Sequence, residues 1–309
     1  MNRFRELERE FTAGKIAKHD YISKIFEKHQ LLWEYQEFIN DKNIAAIEIS
    51  PESIILRTKQ GIKMFCDSQD ERLAPIEILN FGDYEHSEIQ MIKKFLRKDS
   101  VILDIGANIG WYCLNLAGIL SRGKILSFEP VEKTFIMLRR NIQLNKFENI
   151  KIFNFGFSDK TETLTFFYDP TQSGASSLRN LHGKREKVKV ECKVKKLDDF
   201  TAKQKLAHID FIKCDVEGAE KYVVEGGLQT LIKYKPVVFL ELLRKWAAKF
   251  NYHPNEVIEI LKGIGYQCHF AEKSQLIKIN KIDEKTAATN FYFLHSVKHR
   301  QTIKRLVKP

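Results

Sequence analysis

The stretch Val101-Ile102-Leu103-Asp104-Ile105-Gly106-Ala107-Asn108-Ile109-Gly110-Trp111 decides the fold. A short apolar run ends in an acid, passes two glycines and resumes at helical spacing through Leu114, Leu116 and Ala117. Strand, tight turn and helix in that order open a nucleotide-binding α/β sheet, because backbone without Cβ lets a ligand approach a strand end. A dinucleotide fingerprint needs a third glycine so that a pyrophosphate can rest on the helix N-terminus. Here the turn offers only Gly106 and Gly110, and Asp104 lies two residues before the first of them. A carboxylate at that point repels a pyrophosphate and suits a cation. S-adenosylmethionine, which carries an ammonium and a sulfonium and no phosphate, fits the turn Asp104, Gly106, Ala107, Asn108 and Gly110 better than a dinucleotide does.

About twenty residues on, Lys124-Ile125-Leu126-Ser127-Phe128-Glu129-Pro130 repeats the pattern of a strand closing on an acid. A carboxylate at the end of the second strand accepts both ribose hydroxyls at once. Pro130 stops the strand and helps to start the next helix. Farther along, Ile209-Asp210-Phe211-Ile212-Lys213-Cys214-Asp215 delivers Asp215 to the same carboxyl edge, and Pro236-Val237-Val238-Phe239-Leu240-Glu241 is a fifth strand ending in an acid.

Three stretches, Asp104–Gly110, Phe128-Glu129-Pro130 and Asp210–Glu220, resemble in order and spacing the signature stretches of the FkbM-type methyltransferases. The resemblance extends more weakly from about residue 70 to Leu294 and leaves the first fifty residues outside. It implies an α/β, Rossmann-like methyltransferase sheet, mostly parallel with an antiparallel edge strand, with helices on both faces and here an N-terminal helical extension. It further implies S-adenosylmethionine-dependent methylation, usually of an oxygen on a sugar, lipid-linked glycan or polyketide. Gly82-Asp83-Tyr84-Glu85 is similar to a family stretch before the first glycine turn, which suggests Glu85 as cover for the methionine end of the cofactor. In this fold the end of the third strand, Ile150–Phe157, faces the adenine, so Ser158 or Asp159 is expected to bond its amine. The polar loop Asp169–Leu178 resembles the family's Gly-x-x-Ser-Leu stretch, and loops on a rigid sheet are where acceptor recognition resides.

An alcohol must lose its proton as the methyl–oxygen bond forms, and two arrangements achieve that. A carboxylate of the Asp215/Glu217 pair, or a desolvated Lys213, acts as general base. Alternatively Asp215 and Glu241, at adjacent strand ends, bind Mg²⁺, which acidifies the hydroxyl. The base mechanism is preferred, since only two carboxylates are evident for a metal. Glu217 and Glu220 also read as helix N-terminal acids.

The rest of the chain bounds the possibilities. At 309 residues, 43% hydrophobic and 29% charged, it is long enough to bury one substantial core. Five scattered cysteines without a C-x-x-C pair point away from disulfides and zinc and toward a reducing cytoplasm. The first residues lack the apolar core of a secretion signal, and no apolar run approaches the ~20 residues that cross a bilayer. Residues 1–43 read as a helical extension whose apolar stripes suit core or homodimer contacts, and 44–98 as a small β meander with a lead-in helix. Residues 99–296 read as the methyltransferase domain, followed by a basic tail, 297–309. Lys184–Lys196 holds seven basic and two acidic residues, and Ser296–Pro309 five basic and none acidic, which accounts for most of the net +11. Such surfaces favour an anionic acceptor or peripheral membrane contact, and make an RNA methyltransferase of tRNA type the runner-up. Nucleic acid is disfavoured because Asp215-Val216-Glu217-Gly218 replaces the Asn/Asp-Pro-Pro-aromatic motif of base-amine methylation, and its acids repel a phosphate backbone.

Overall fold

Strict alternation along four neighbouring strands sets the architecture, and a computed structural model describes it for residues 3–172, 177–179 and 187–308. The chain opens with an antiparallel helical pair, α1 (Arg3–Thr12) and α2 (Lys18–Phe38). A three-stranded antiparallel meander follows, β1 (Ala46–Ile49), β2 (Ile54–Arg57) and β3 (Lys63–Cys66), then the short helices α3 (Ala74–Phe81) and α4 (His86–Lys93). The first βαβ units are β4 (Val101–Ile105), α5 (Trp111–Ala117), β5 (Lys124–Phe128), α6 (Glu132–Asn145) and β6 (Ile150–Phe153). An inserted sheet of β7 (Gly156–Phe157), β8 (Glu162–Tyr168) and β9 (Val188–Lys195) precedes α7 (Leu197–Gln204). The second half runs β10 (Phe211–Cys214), α8 (Glu220–Glu225), α9 (Leu228–Tyr234), β11 (Val237–Glu241), α10 (Arg244–Ala247) and α11 (Pro254–Gly263). It closes with β12 (Tyr266–Glu272), β13 (Gln275–Ile279), β14 (Asn290–His295) and α12 (Arg300–Leu306).

The main sheet has eight strands in the order β13-β12-β14-β11-β10-β4-β5-β6. From β11 to β6 they are parallel; β14, β12 and β13 are antiparallel. The Rossmann-like α/β expectation therefore holds, with apolar cores on both faces of the sheet. Val101, Leu103 and Ile105 of β4, Leu126 and Phe128 of β5, and Ile212 and Cys214 of β10 join one core. Ile102, Ile125, Phe211, Val237 and Phe239 join the other. Because side chains alternate across a strand, Ser127, Asp104 and Lys213 share that second face. They are also in register, Lys213 opposite Asp104 and Asp104 opposite Ser127. A polar row thus crosses three central strands one residue before they end.

The structure corrects several boundaries. The expected third strand, Ile150–Phe157, is two: β6 ends at Phe153, and Gly156–Phe157 pairs instead with Val194–Lys195 in the inserted sheet. Asn154 makes the break, donating its Nδ2 to the carbonyls of Glu129 and Pro130. The antiparallel edge is β13, absent from the sequence reading; β12 and β14 lie inside it. The helix for which Glu217 and Glu220 read as N-terminal acids is two, α8 and α9, broken at Gly226-Gly227. There a Cβ on Gly226 would stand 2.1 Å from the Ser158 carbonyl oxygen. Asp198 then caps the second piece, accepting from the Gln229 and Thr230 amides. The basic stretch read as a tail turns into α12, buries Leu306 and returns to the sheet through Lys308 N–H to the Leu276 carbonyl.

Candidate active site

The carboxyl ends of β4, β5, β10 and β11 open into a cleft, the position where parallel α/β sheets bind ligands. Its floor is the first glycine turn. Gly106 has φ +72°, and a Cβ there would lie 1.8 Å from the Asp215 carbonyl oxygen, so the turn after β4 and the end of β10 approach as closely as backbone permits. Gly110, at φ +102°, begins α5 against Leu138, whose Cδ1 a Cβ would meet at 2.8 Å. Gly106 and Ala107 both donate to the Phe128 carbonyl. The Glu129 carboxylate completes the stitch, one oxygen accepting from Asn108 N–H and the other from Val131 N–H, each at 3.0 Å. Burial pushes the Glu129 carboxyl up to about 7 against the pull of those two amides.

Gly106, Asn108, Asp215 and Glu217 line both halves of the cleft. One half, about 650 Å³, is apolar, walled by Pro130, Val131, Phe157, Phe166 and Leu178 with Glu129 at one side. The other, about 1210 Å³, is polar and holds Glu85, Lys213, Glu241, Tyr84, Trp111 and Tyr112 among its walls, with Arg72, Gln172, Lys245 and Trp246 toward its rim. Three residues of these walls take left-handed backbone without being glycine: Glu85 (φ 46°), Asn108 (φ 49°) and Glu217 (φ 54°). Each costs about 1 kcal/mol relative to ordinary backbone, strain that clusters at functional sites.

The polar half is acidic. Asp215, Glu217 and Glu241 each offer a carboxylate oxygen, and these lie within 4.8 Å of one another. Burial and mutual repulsion drive Glu217 well above the carboxylate range and Glu241 to about 11. Glu85, hydrogen-bonded to Tyr112, is raised to about 7 by burial and by Asp215. Lys213 answers them from below: its Nζ donates to the Gly106 carbonyl at 2.7 Å and lies 3.4 Å from Asp215 and 3.8 Å from Asp104. Burial opposes its charge, yet the carboxylates of Asp215, Asp104 and Glu85 outweigh that and hold it more basic than an ordinary lysine. Asp104 is 1% exposed and sits behind this pair rather than in the walls of the cleft, with Ser127 donating to it at 3.5 Å. Glu220 faces inward to the protein, accepting from Val216 and Gly218 N–H and so fixing the turn that presents Glu217.

The structure therefore brings Glu85, Gly106, Ala107, Asn108, Glu129, Pro130, Lys213, Asp215, Glu217 and Glu241 to one cleft. Ser158 and Asp159 line a neighbouring groove with Tyr222 and Phe250, and the Ser158 hydroxyl is already donated to Asp159. They left because β7 departs from the main sheet, and Phe157 and Phe166 stand in the apolar half instead. Of the polar loop, residues 173–176 lie outside the described residues; Ser177 donates to the Glu217 carbonyl at 2.8 Å, bringing Leu178 over the cleft. Tyr84, Trp111, Tyr112 and Trp246 were not singled out in the sequence. An aromatic that starts a helix after a glycine turn is the one signal that pointed to Trp111.

An apolar slot beside a buried carboxyl group, opening onto a second chamber lined by the carboxyl groups of Glu85, Asp215, Glu217 and Glu241, suits an adenosine joined to a cationic sulfur and ammonium. The buried Oδ1 of Asn108, which has no hydrogen-bond partner among the described residues, agrees with a site built to bond a ligand. Over 159 residues the chain is 33% identical to methyltransferase sdnD of Sordaria araneosa, covering 42% of this chain and 61% of that one. It is 26% identical over 158 residues to the 2-O-methyltransferase NoeI of Sinorhizobium fredii, covering 47% and 64%. The chain thus spans less than two thirds of these relatives' length. A crystal structure of methyltransferase FkbM from Methylobacillus flagellatus aligns with 85% of this chain and 59% of its own, at 15% identity and a TM-score of 0.42. The methyltransferase FkbM domain matches residues 104–268, more than half the chain and all of the strand ends carrying Asp104, Glu129, Asp215 and Glu241, so the chain belongs to the FkbM methyltransferase family.

Proposed function

We propose that this chain is an S-adenosylmethionine-dependent O-methyltransferase acting on a hydroxyl of a sugar, glycan or lipid-linked acceptor. The observation that carries the reading is the carboxylate cluster Asp215, Glu217 and Glu241 facing the polar chamber, directly across Gly106 and Asn108 from the apolar slot. When bound, S-adenosylmethionine supplies a methyl group on a sulfonium leaving group, ready for in-line displacement. Phe157, Phe166, Pro130 and Val131 enclose its base, Glu129 accepts its ribose hydroxyls, and Glu85 and Asp215 face its charged end. Excluding water from this slot strengthens each of those interactions.

The acceptor hydroxyl sits among Asp215, Glu217 and Glu241, and the aromatic faces of Tyr84, Trp111 and Trp246 match the apolar face of a sugar ring. Positioning supplies much of the rate of a bimolecular displacement. The proton leaves to a carboxylate of the Asp215/Glu217 pair, in which burial and the neighbouring Asp215 raise the Glu217 carboxyl well above the usual carboxylate range. Lys213, held as a cation, has no lone pair to accept a proton; its work is to lie against the Asp104 and Asp215 carboxyls beneath the cleft. The name of the relative NoeI, a 2-O-methyltransferase, supports oxygen as the acceptor atom.

A second reading has its own observation: with Glu217 added, three carboxylates rather than two surround one point. Asp215, Glu217 and Glu241 would then hold Mg²⁺, whose chemistry is to acidify a bound hydroxyl. The base mechanism remains preferred because Lys213 already neutralises Asp215. RNA stays the less favoured acceptor, since the acid-lined chamber repels phosphate. The free cysteines, four of the five buried, are consistent with the proposed cytoplasmic setting, and among the described residues no helix is long and apolar enough to cross a membrane.

The test is transfer from methyl-labelled S-adenosylmethionine to cell glycan extracts and to total tRNA, with and without EDTA. Label recovered in glycan ethers and insensitive to EDTA is the expected result. Label in tRNA alone contradicts the acceptor class, and loss of label with EDTA replaces the base mechanism by the metal one.

A further inference from the structure

Trp111 opens α5 in the wall of the polar chamber, only 6% exposed, and its indole N–H has no hydrogen-bond partner among the described residues. The indole nitrogen is a donor only, so what it lacks is an acceptor. A buried tryptophan N–H ordinarily finds one, because leaving it alone forfeits the bond it made to water. Other donors of the chamber are engaged. Lys213 donates to the Gly106 carbonyl and lies against Asp215, Arg72 is paired with Glu77, and Tyr112 is bonded to Glu85. Lys245 lies over the Trp246 ring.

Two dipeptides meet at this point. The Trp111 ring packs edge-on with Tyr84 at 5.8 Å, and the next residue, Tyr112, is hydrogen-bonded to Glu85, which follows Tyr84. A donor without an acceptor and a carboxyl group therefore come from two segments in contact, and both line the same chamber. An α-amino acid carries an ammonium and a carboxylate on one carbon. Recognising both ends takes an acceptor and a donor from neighbouring positions. The carboxylates of Glu85, Asp215, Glu217 and Glu241 can accept from an ammonium, but as carboxylates they have nothing to donate to another carboxylate.

We propose that the Trp111 indole N–H binds the carboxylate at the methionine end of the methyl donor, beside the ammonium that Glu85 takes. The assignment rests on reading the cleft as an S-adenosylmethionine site. The N–H lies in the plane of the ring, so the edge of the indole serves the donor and its face remains for the acceptor. Anchoring the amino-acid end also fixes where the sulfonium lies, so Trp111 bears on positioning as well as on affinity. With the N–H present, the chamber prefers the zwitterion. Without it, the surrounding carboxyl groups favour decarboxylated S-adenosylmethionine, which carries one negative charge fewer.

The test is titration calorimetry of the full chain with S-adenosylmethionine and with its decarboxylated form, which keeps the ammonium and the sulfonium. Wild type should bind the intact compound about tenfold or more tightly, the effect of one hydrogen bond to a charged group. Trp111→Phe, which keeps a ring against Tyr84, should erase that preference by weakening S-adenosylmethionine alone. Wild type without the preference overturns the proposal. So does a preference that survives in Trp111→Phe, or an equal loss of both compounds there, which marks a merely structural role. Wild type that binds neither compound removes the S-adenosylmethionine reading itself, and the proposal with it. Should Trp111→Phe not fold, NMR of the isotope-labelled wild type decides. The chain has three tryptophans, so Trp33→Phe and Trp246→Phe identify the Trp111 indole N–H signal by elimination. It should move downfield with S-adenosylmethionine and stay with the decarboxylated form; the same response to both overturns the proposal.

Discussion

Replacing Lys213 by methionine leaves Asp104 buried without its counter-ion, because the lysine Nζ is the cation within 4 Å of both Asp104 and Asp215. Removing one partner from a buried pair costs about 3 kcal/mol or more, so urea unfolding of Lys213→Met should show a loss of that size. An unchanged midpoint would mean the pair is not a structural anchor. Asp215→Asn acts differently. It keeps the turn and removes a proton acceptor, so turnover should fall about 10²-fold or more, well beyond the loss of donor affinity that follows from removing one of the two acids at its cationic end. Glu129→Gln should reverse that split, weakening donor binding about tenfold, or ~1.4 kcal/mol, since an amide that must accept from Asn108 and Val131 cannot also accept both ribose hydroxyls. Titration calorimetry beside initial rates separates the two variants; identical losses in both would dissolve the assignment of roles.

Strand ends hold these residues because the sheet is the rigid element, and the turn after β4 is where rigidity matters most. Gly106→Ala should cost at least about 2 kcal/mol and abolish donor binding, since its Cβ meets the Asp215 carbonyl and its φ is left-handed. A Gly106→Ala protein that binds donor normally would show the turn to be looser than described. Elements of this kind were legible from sequence: buried parallel strands read as apolar runs closing on acids, which is why Asp104, Glu129, Asp215 and Glu241 could be placed beforehand. Short helices such as α3, α7 and α12 carry too few turns to show a period. The break between β6 and β7 depends on Asn154 reaching the carbonyls of Glu129 and Pro130, a contact between segments that no local pattern encodes. That one break moved Ser158 and Asp159 into another groove. The aromatic walls were missed for a related reason: Tyr84, Trp111 and Trp246 come from three separated segments and converge only in three dimensions.

At the scale of the whole molecule, buried acids make stability depend on pH. Glu85, Glu129 and Glu220 are raised to about 7, and Glu217 and Glu241 farther, whereas the same groups ionise near 4.3 when unfolded. Between those values the folded chain holds more protons than the unfolded one, so stability falls as pH rises. Buried His269 and His299, lowered to about 4, push the other way, but only below the unfolded histidine value near 6.5. Above that point the acids act alone. The ligand-free protein should therefore melt at a lower temperature at pH 8 than at pH 6.5, and a rise over the same interval would refute the buried-acid picture. A bound cation should offset much of the difference, which links fold stability to the ligand. The most direct measurement is a calorimetric titration of the wild-type chain with S-adenosylmethionine and, separately, with NAD. The account predicts one S-adenosylmethionine bound per chain and no heat from NAD; no heat from S-adenosylmethionine, with NAD bound in its place, would contradict it.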